Sequence, residues 1–302
     1  MAKVKVNQGL TKAERIRLKE SRRLSLEAGN PGVLFTREDR PADFMRGAFV
    51  NEAVFLLGGG PSLARQNLSL LDQRGLLVAA MNHGAAVHRP HLWFTVDPQT
   101  QFAESLWRDP ACMKFTKRKY IARNIHGWNE SLGQYTELVG AQPRKLSNVW
   151  GFEHADFGMQ PWDPANFLTS KLPPWGSDKP ETDPEGKNWH KSVMLSTLWL
   201  LHWLGFRRVY LLGCDFKQKP KQPYAFDEHV TEGKCAGNNR LFDWLNRRFT
   251  EIAPHCRDRG FAIVNCTPGG YLTAFPRLPF EDAVQIEASR VPELRTKGHY
   301  RL

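Results

Sequence analysis

The sequence predicts an α/β fold: a mostly parallel sheet with helices on both faces, plus a long Pro/Trp-rich insertion or lid. Three observations predict it. Short apolar runs recur and stop at glycine, asparagine or aspartate, as buried parallel strands do. Helical apolar patterns lie between some of these runs. The chain has 302 residues, of which 41% are hydrophobic, enough for a full core, and it carries no internal repeat.

The first strand is Ala53-Val54-Phe55-Leu56-Leu57, which ends in Gly58-Gly59-Gly60-Pro61-Ser62-Leu63. The second lies within Gly75 to Met81 and ends at Asn82. The third runs from His91 to Val96 and ends at Asp97-Pro98. A further strand is expected over Lys119 to Ala122. A strong one covers Val209 to Leu212 and ends at Gly213-Cys214-Asp215, and the last is Phe261 to Asn265. Ser192 to Leu204 is apolar almost all round, which predicts a buried helix. Asn239 to Ala253 is amphipathic, with Leu241, Trp244, Leu245, Phe249 and Ile252 on one face. These elements place the ordered domain at residues 51–285, after a basic arm and linker (1–50) and before a basic C-terminal tail (286–302). Gln160 to Lys191 holds six prolines and three tryptophans, too long and proline-rich for an ordinary connection, and reads as an insertion or lid.

Charge points to an anionic partner. The chain carries 42 Lys+Arg against 31 Asp+Glu, a net charge of +11. Residues 1–30 contribute eight basic and three acidic residues, with Arg22 and Arg23 adjacent. No apolar run reaches the ~18–20 residues of a membrane span, and no apolar segment follows the charged N-terminus as in a signal peptide. The five cysteines are scattered, without a CxxC pair, which fits a reduced, cytoplasmic protein and no structural metal site.

In open α/β sheets, ligands bind at the carboxyl ends of the strands. The Gly58–Ser62 turn, Asn82, Asp97 and Asp215 all follow strands directly. A strand, glycine turn and helix would set backbone N–H groups against a phosphate, with Pro61 in the first helical turn and Ser62 capping or donating. The turn is neither a Walker loop nor GxGxxG, and a tight turn that merely needs glycine stays open as the alternative. Trp162, Trp175 and Trp189, with Lys187 and Lys191, can stack on bases and touch phosphates, or can simply pin the insertion to the domain.

These motifs resemble, in order, those of the bacterial sialyltransferases that use CMP-sialic acid. Gly58-Gly59-Gly60-Pro61-Ser62-Leu63 is similar to their Gly-Asn-Gly-Pro-Ser-Leu, Met81-Asn82 to their Cys-Asn, and Gly213-Cys214-Asp215-Phe216 to their Gly-Ile-Asp-Phe; Tyr224-Ala225-Phe226-Asp227 is identical to a stretch of theirs. Ser192 heads a helix as in their Thr-Ser-Gly motif. The match runs from about Ala53 to Phe275. A wider related group resembles archaeal hydroxymethylpterin diphosphokinases.

The resemblance implies a metal-independent glycosyltransferase on a Rossmann-like sheet. Gly58, Gly60, Ser62 and Asn82 would hold the donor nucleotide, together with the turn's Gly59, Ser192 and Asp215. Tyr224 would stabilise the departing phosphate, with Lys217 near the slot of the family's second tyrosine. His229 is the obvious general base, though counting back from the following helix puts the matching slot closer to Cys235. Gly59 and Asp97 stand where the family has asparagines, and the tryptophan-rich segment has no clear counterpart, so CMP-sialic acid is not carried over as donor. Asp97 would instead hydrogen-bond sugar hydroxyls or hold a divalent metal.

The expected function is therefore transfer of a sugar from a nucleotide-sugar donor of unspecified identity. The favoured acceptor is a hydroxymethylpyrimidine base in double-stranded DNA, flipped into the pocket, with the basic arm and Trp/Lys segment on the backbone. No metal is favoured, although magnesium would serve the main competing reading, an ATP-dependent diphosphokinase with Asp97 and Asp215 as ligands. The sequence also allows a glycan sialyltransferase-like enzyme or a non-catalytic nucleic-acid-binding protein.

Overall fold

The computed structural model describes residues 32–97, 102–123, 126–129, 134–137, 142–154, 162–176, 192–228 and 230–291. In chain order its elements are β1 (Leu34–Phe35), β2 (Ala53–Leu57), β3 (Val78–Met81), β4 (Leu92–Phe94), α1 (Glu104–Arg108), β5 (Met113–Lys117), β6 (His126–Asn129), β7 (Gln134–Glu137), β8 (Val149–Phe152), α2 (Val193–Leu204), β9 (Arg208–Leu212), α3 (Glu232–Asp258), β10 (Ala262–Asn265) and α4 (Phe280–Arg290). Eight strands form one sheet in the order β1-β8-β5-β4-β3-β2-β9-β10. All neighbours are parallel except the edge strand β1, which runs antiparallel to β8. Strands β6 and β7 form a separate antiparallel pair.

Period-2 alternation splits the apolar strands between two cores. Val54 and Leu56 of β2 face one layer with Leu198 and Leu201 of α2 and Phe249 of α3. Ala53, Phe55 and Leu57 face the other, with Trp107 of α1 and Phe280 and Val284 of α4. The sheet therefore carries helices on both faces, the Rossmann-like arrangement. All of α2 except Val193 and His202 is buried, which is why its sequence shows no polar face. The Ser192 hydroxyl accepts from the Met194 N–H at 3.2 Å at its start, and Gly205, at φ 109°, ends it. On the other face, Arg208 clasps the buried Glu287 carboxylate at 2.7 and 2.9 Å, and the Tyr210 hydroxyl donates to it at 2.7 Å, tying α4 to β9. No described helix is long and apolar enough to cross a membrane.

The strand order creates a switch point. From β2 the chain steps outward through β3, β4, β5 and β8, then returns after α2 to β9 on the other side of β2. The carboxyl ends of β2 and β9 thus flank a crevice, the place where such sheets bind ligands.

Several boundaries differ from the sequence expectation. The folded unit starts well before residue 51: β1 pairs with β8, and Val33, Leu34, Phe35, Ala42 and Met45 are buried, so the C-terminal part of the supposed linker is core. The strand expected over Lys119 to Ala122 lies earlier, at Met113–Lys117, and Arg118–Tyr120 is a 3-10 turn. Buried Lys114 and Lys117 hid that strand's apolar pattern; Lys114 reaches back so that its ammonium donates to the Cys112 carbonyl at 2.8 Å. The amphipathic helix begins at Glu232 and runs for 27 residues, capped by Thr231. Helix α4 continues to Arg290, past the expected start of the C-terminal tail. After the glycine turn comes a five-residue 3-10 helix, Pro61–Arg65, with Pro61 in its first turn, rather than an α-helix.

Candidate functional site

A cleft of about 600 Å³ opens at the carboxyl edge of the sheet over the switch point. Its walls come from the ends of five strands: Gly58–Gly60 after β2, Met81–Gly84 after β3, Val96 and Asp97 after β4, Lys117 ending β5, and Gly213–Gln218 after β9. The start of α2, the 223–228 segment and one face of α3 complete it. Sequence motifs more than 150 residues apart therefore meet in one cavity.

The glycines permit backbone-to-backbone approach. A Cβ on Gly58 would lie 2.6 Å from the Gly213 carbonyl, and one on Gly84 would lie 2.4 Å from the Gly58 carbonyl. At Gly60 it would lie 1.9 Å from an Asp215 carboxylate oxygen and 2.6 Å from the Gly213 carbonyl. Gly59 is different: its nearest neighbours would be the Phe226 and Tyr224 rings at 3.4–3.7 Å, ordinary contact distance. The tight-turn requirement accounts for Gly58 and Gly60 but leaves Gly59 facing the cleft.

The anion that the turn holds is the protein's own. Ser62 is fully buried; its hydroxyl donates to Asp215 Oδ2 at 2.7 Å and its N–H donates to the same oxygen at 3.3 Å. Burial pushes the Asp215 carboxyl above the usual range, while the Ser62 hydrogen bonds pull it down. Ser62 therefore positions Asp215 and does not itself present a donor to a ligand phosphate. An anionic ligand group placed beside this carboxylate would be repelled.

Asn82 and Asp97 form the second polar pair. Asn82 sits at φ 46°, a left-handed conformation that asparagine tolerates. Its amide donates to Asp97 Oδ2 at 2.8 Å, and the Trp93 indole donates to its backbone carbonyl at 2.9 Å. The Asn82 side-chain carbonyl is buried and finds no donor among the described residues. That oxygen is closed to solvent, so the pair presents the Asp97 carboxylate and not the Asn82 carbonyl to a ligand.

Aromatic rings and cations line the remainder. Tyr224 and Phe226 stack at 4.9 Å with 8° between planes, and Phe226 meets His83 at 5.5 Å. The Ala225 N–H donates to the Gly59 carbonyl at 3.1 Å, which holds this aromatic pair over the glycine turn. Lys217 lies 5.0 Å from the centre of the Tyr271 ring, and Lys117, only 8% exposed, lies 5.0 Å from that of Trp175. His83, Lys117 and Phe226 were not singled out in the sequence as site residues. The signal for His83 and Lys117 was positional, since each stands at the carboxyl end of a strand, and the misplaced β5 concealed Lys117.

The other expected site residues divide three ways. Ser192 lines the cleft, but its hydroxyl caps α2. Trp175 is 4% exposed, edge-on to His154 at 4.4 Å, and Trp162 donates its indole N–H to Glu251 beneath Arg248 at 5.1 Å. Both rings pin their segment to the domain, and Trp175, being buried, is not a base-stacking platform, which corrects the expectation for that residue. Trp189, Lys187, Lys191, Arg22, Arg23 and the general-base candidate His229 lie outside the described residues. Cys235, the competing slot, is buried in the first turn of α3. All five cysteines are free and buried. Among the described residues no group of three or more metal-ligating side chains comes together.

No family model, no curated protein and no solved structure matches the chain.

Proposed function

We propose that the protein is a nucleotide-sugar-dependent glycosyltransferase whose donor occupies the cleft at the switch point. One observation carries the proposal: Gly59, Asn82, Asp97 and Lys217, which follow four different strands, and Tyr224 of the 223–228 segment line a single cavity of about 600 Å³, a size suited to a nucleotide sugar. Asn82 acts by orienting the Asp97 carboxylate through its amide. Lys217 and Tyr224 stabilise the departing nucleotide phosphate by charge and by a hydroxyl hydrogen bond. Asp97 accepts from sugar hydroxyls, in keeping with the Asn82 amide that orients it.

In the reaction, the acceptor oxygen forms a bond to the anomeric carbon as the bond from that carbon to phosphate oxygen breaks. The nucleotide leaves with the electron pair, and the acceptor proton passes to a general base. His229 takes that role on the family resemblance. His83, which lines the cleft, is a second imidazole within the site.

For the acceptor we propose a hydroxymethylpyrimidine in double-stranded DNA, flipped out of the helix. Its support is the +11 net charge, much of it in the basic arm; the buried Trp175 contributes nothing to it. The diphosphokinase alternative would need Asp97 and Asp215 as magnesium ligands. Each already accepts a hydrogen bond on its Oδ2, from Asn82 and Ser62 respectively, which disfavours that arrangement.

Mass spectrometry tests the proposal. The protein is offered a panel of nucleotide sugars with hydroxymethylated or plain duplex DNA, and the digested nucleosides are weighed. The expected result is a one-sugar mass gain on the hydroxymethylated base alone, abolished in Lys217→Ala/Tyr224→Phe. No mass gain with any donor, with AMP released from ATP and magnesium, would overturn it in favour of the kinase.

A further inference from the structure

A second cavity, of about 310 Å³, lies where α2 ends and β9 begins, at the opposite edge of the sheet from the cleft. Arg46, Arg207 and His202 line it, together with Thr169, Ser170 and Trp199. No acidic side chain lines it among the described residues, and there Arg46 and Arg207 make no ion pair. Trp199 is 3% exposed, and its indole N–H finds no acceptor among the described residues.

The usual reason for cations at this place is the end of a helix, where carbonyl groups lack partners. Here that need is met. The Leu201 carbonyl accepts from Phe206, that of His202 from Gly205, that of Trp203 from Gly47 and that of Leu204 from Phe49, all backbone N–H groups at 2.8–3.1 Å. The guanidiniums are therefore not required as caps. Arg207 Nη1 donates to the Phe206 carbonyl at 3.3 Å, and both arginines line the cavity. Burial pushes the His202 imidazole down to about 4, and the positive charges of Arg207, Arg259 and Arg46 add to that depression.

We propose that this cavity is a binding site for a phosphate group, held by the Arg46 and Arg207 guanidiniums, distinct from the donor cleft and independent of what that cleft transfers. Guanidinium forks suit phosphate oxygens, and 310 Å³ admits one phosphate with part of the molecule that bears it. Two sources carry that chemistry: a free phosphorylated small molecule and a nucleic-acid backbone.

The test titrates inorganic phosphate into the full chain in chloride buffer and follows the His202 ring by NMR, assigned by its loss in His202→Gln. The expected result is a saturable shift of the His202 resonances, with affinity at least about tenfold weaker in Arg46→Gln/Arg207→Gln. A short DNA duplex then separates the sources. Displacement of phosphate by duplex, with a salt slope about two charges flatter in the double variant, assigns the site to a nucleic-acid backbone. A phosphate-bound His202 signal untouched by duplex assigns it to a free phosphorylated molecule. Absence of any phosphate-dependent shift in the parent overturns the proposal. An unchanged titration in a double variant that melts like the parent does so too. If the double variant does not fold, the parent titration decides alone.

Discussion

The two ends of α2 sit in cavities of opposite character. At its start, Ser192 caps the helix inside a cleft whose wall mixes Asp97, Asp215 and Glu228 with Lys117, Lys217 and Lys234. At its end, the lining is cationic and hydroxylated, with no acid among the described residues. A mixed wall can orient a ligand that carries both hydroxyls and phosphate, whereas a wall of one sign selects for anions and little else. The net charge of +11 is thus poorly represented at the carboxyl edge, where the fold places chemistry, and better represented where it does not. The sequence already separates the glycine turn from the excess of basic residues, and in the fold the turn lies at the carboxyl edge while the lining rich in arginine lies at the far end of α2.

The largest expected effect concerns the segment that runs beside α2 between these cavities. Leu168, Thr169 and Ser170 line the far pocket, while Trp175 lies under Lys117 at the cleft and Gly176 packs on Leu195. Trp175→Ala should cost about 3–5 kcal/mol by opening a cavity in the core, a fall in Tm on the order of 10 °C. An unchanged melt would return Trp175 to the role of an acceptor-binding ring and dissolve the distinction between scaffold and site. Next comes the glycine turn. Gly60→Ala must displace the Asp215 carboxylate and the Gly213 carbonyl, for a loss of about 1–3 kcal/mol. Gly59→Ala should change stability by no more than about 0.5 kcal/mol, because its Cβ meets the aromatic rings at contact distance. Equal melts for the two variants would mean that the turn is not clamped against β9.

How legible the molecule was in its sequence depended on what each strand buries. Strands β2, β3, β4 and β9 are buried on both faces, and the edge strand β10 on one, so their apolar runs stop close to where the strands stop. Strand β5 holds two buried lysines whose ammonium groups are served by carbonyls and rings, and hydrophobicity cannot announce such a strand. Strand β1 has two residues, too few for a period. The same logic applies to the site. Asn82, Asp97 and Asp215 were readable because polar residues directly after apolar strands are placed by the fold itself. The commitment of Ser62 to Asp215 was not readable, because that partner lies 153 residues away. Nor could composition show that Trp162 and Trp175 spend their rings on the domain, since a tryptophan that pins and one that binds have the same letters.

The smallest effects separate the two ends of α2 by the sign of their pH dependence. At the cleft end, folding raises the Asp215 pKa above its ordinary value of about 3.9, so the folded chain binds that proton more tightly. The stability it contributes is full below that ordinary value and is lost as pH rises through the folded pKa. At the far end the sign reverses. His202 is held at about 4, below its ordinary value of about 6.5, so its contribution is full above the ordinary value and is lost as pH falls toward 4. Ser62→Ala removes a hydrogen bond that favours ionised Asp215, which moves that carboxyl further up and should cost about 1 kcal/mol, mostly on the neutral side. His202→Gln should instead flatten the acid side and leave the neutral side nearly unchanged. Thermal melts of the parent and both variants between about pH 4 and pH 8 decide this. If both variants shift the profile on the same side, the two ends are not electrostatically independent.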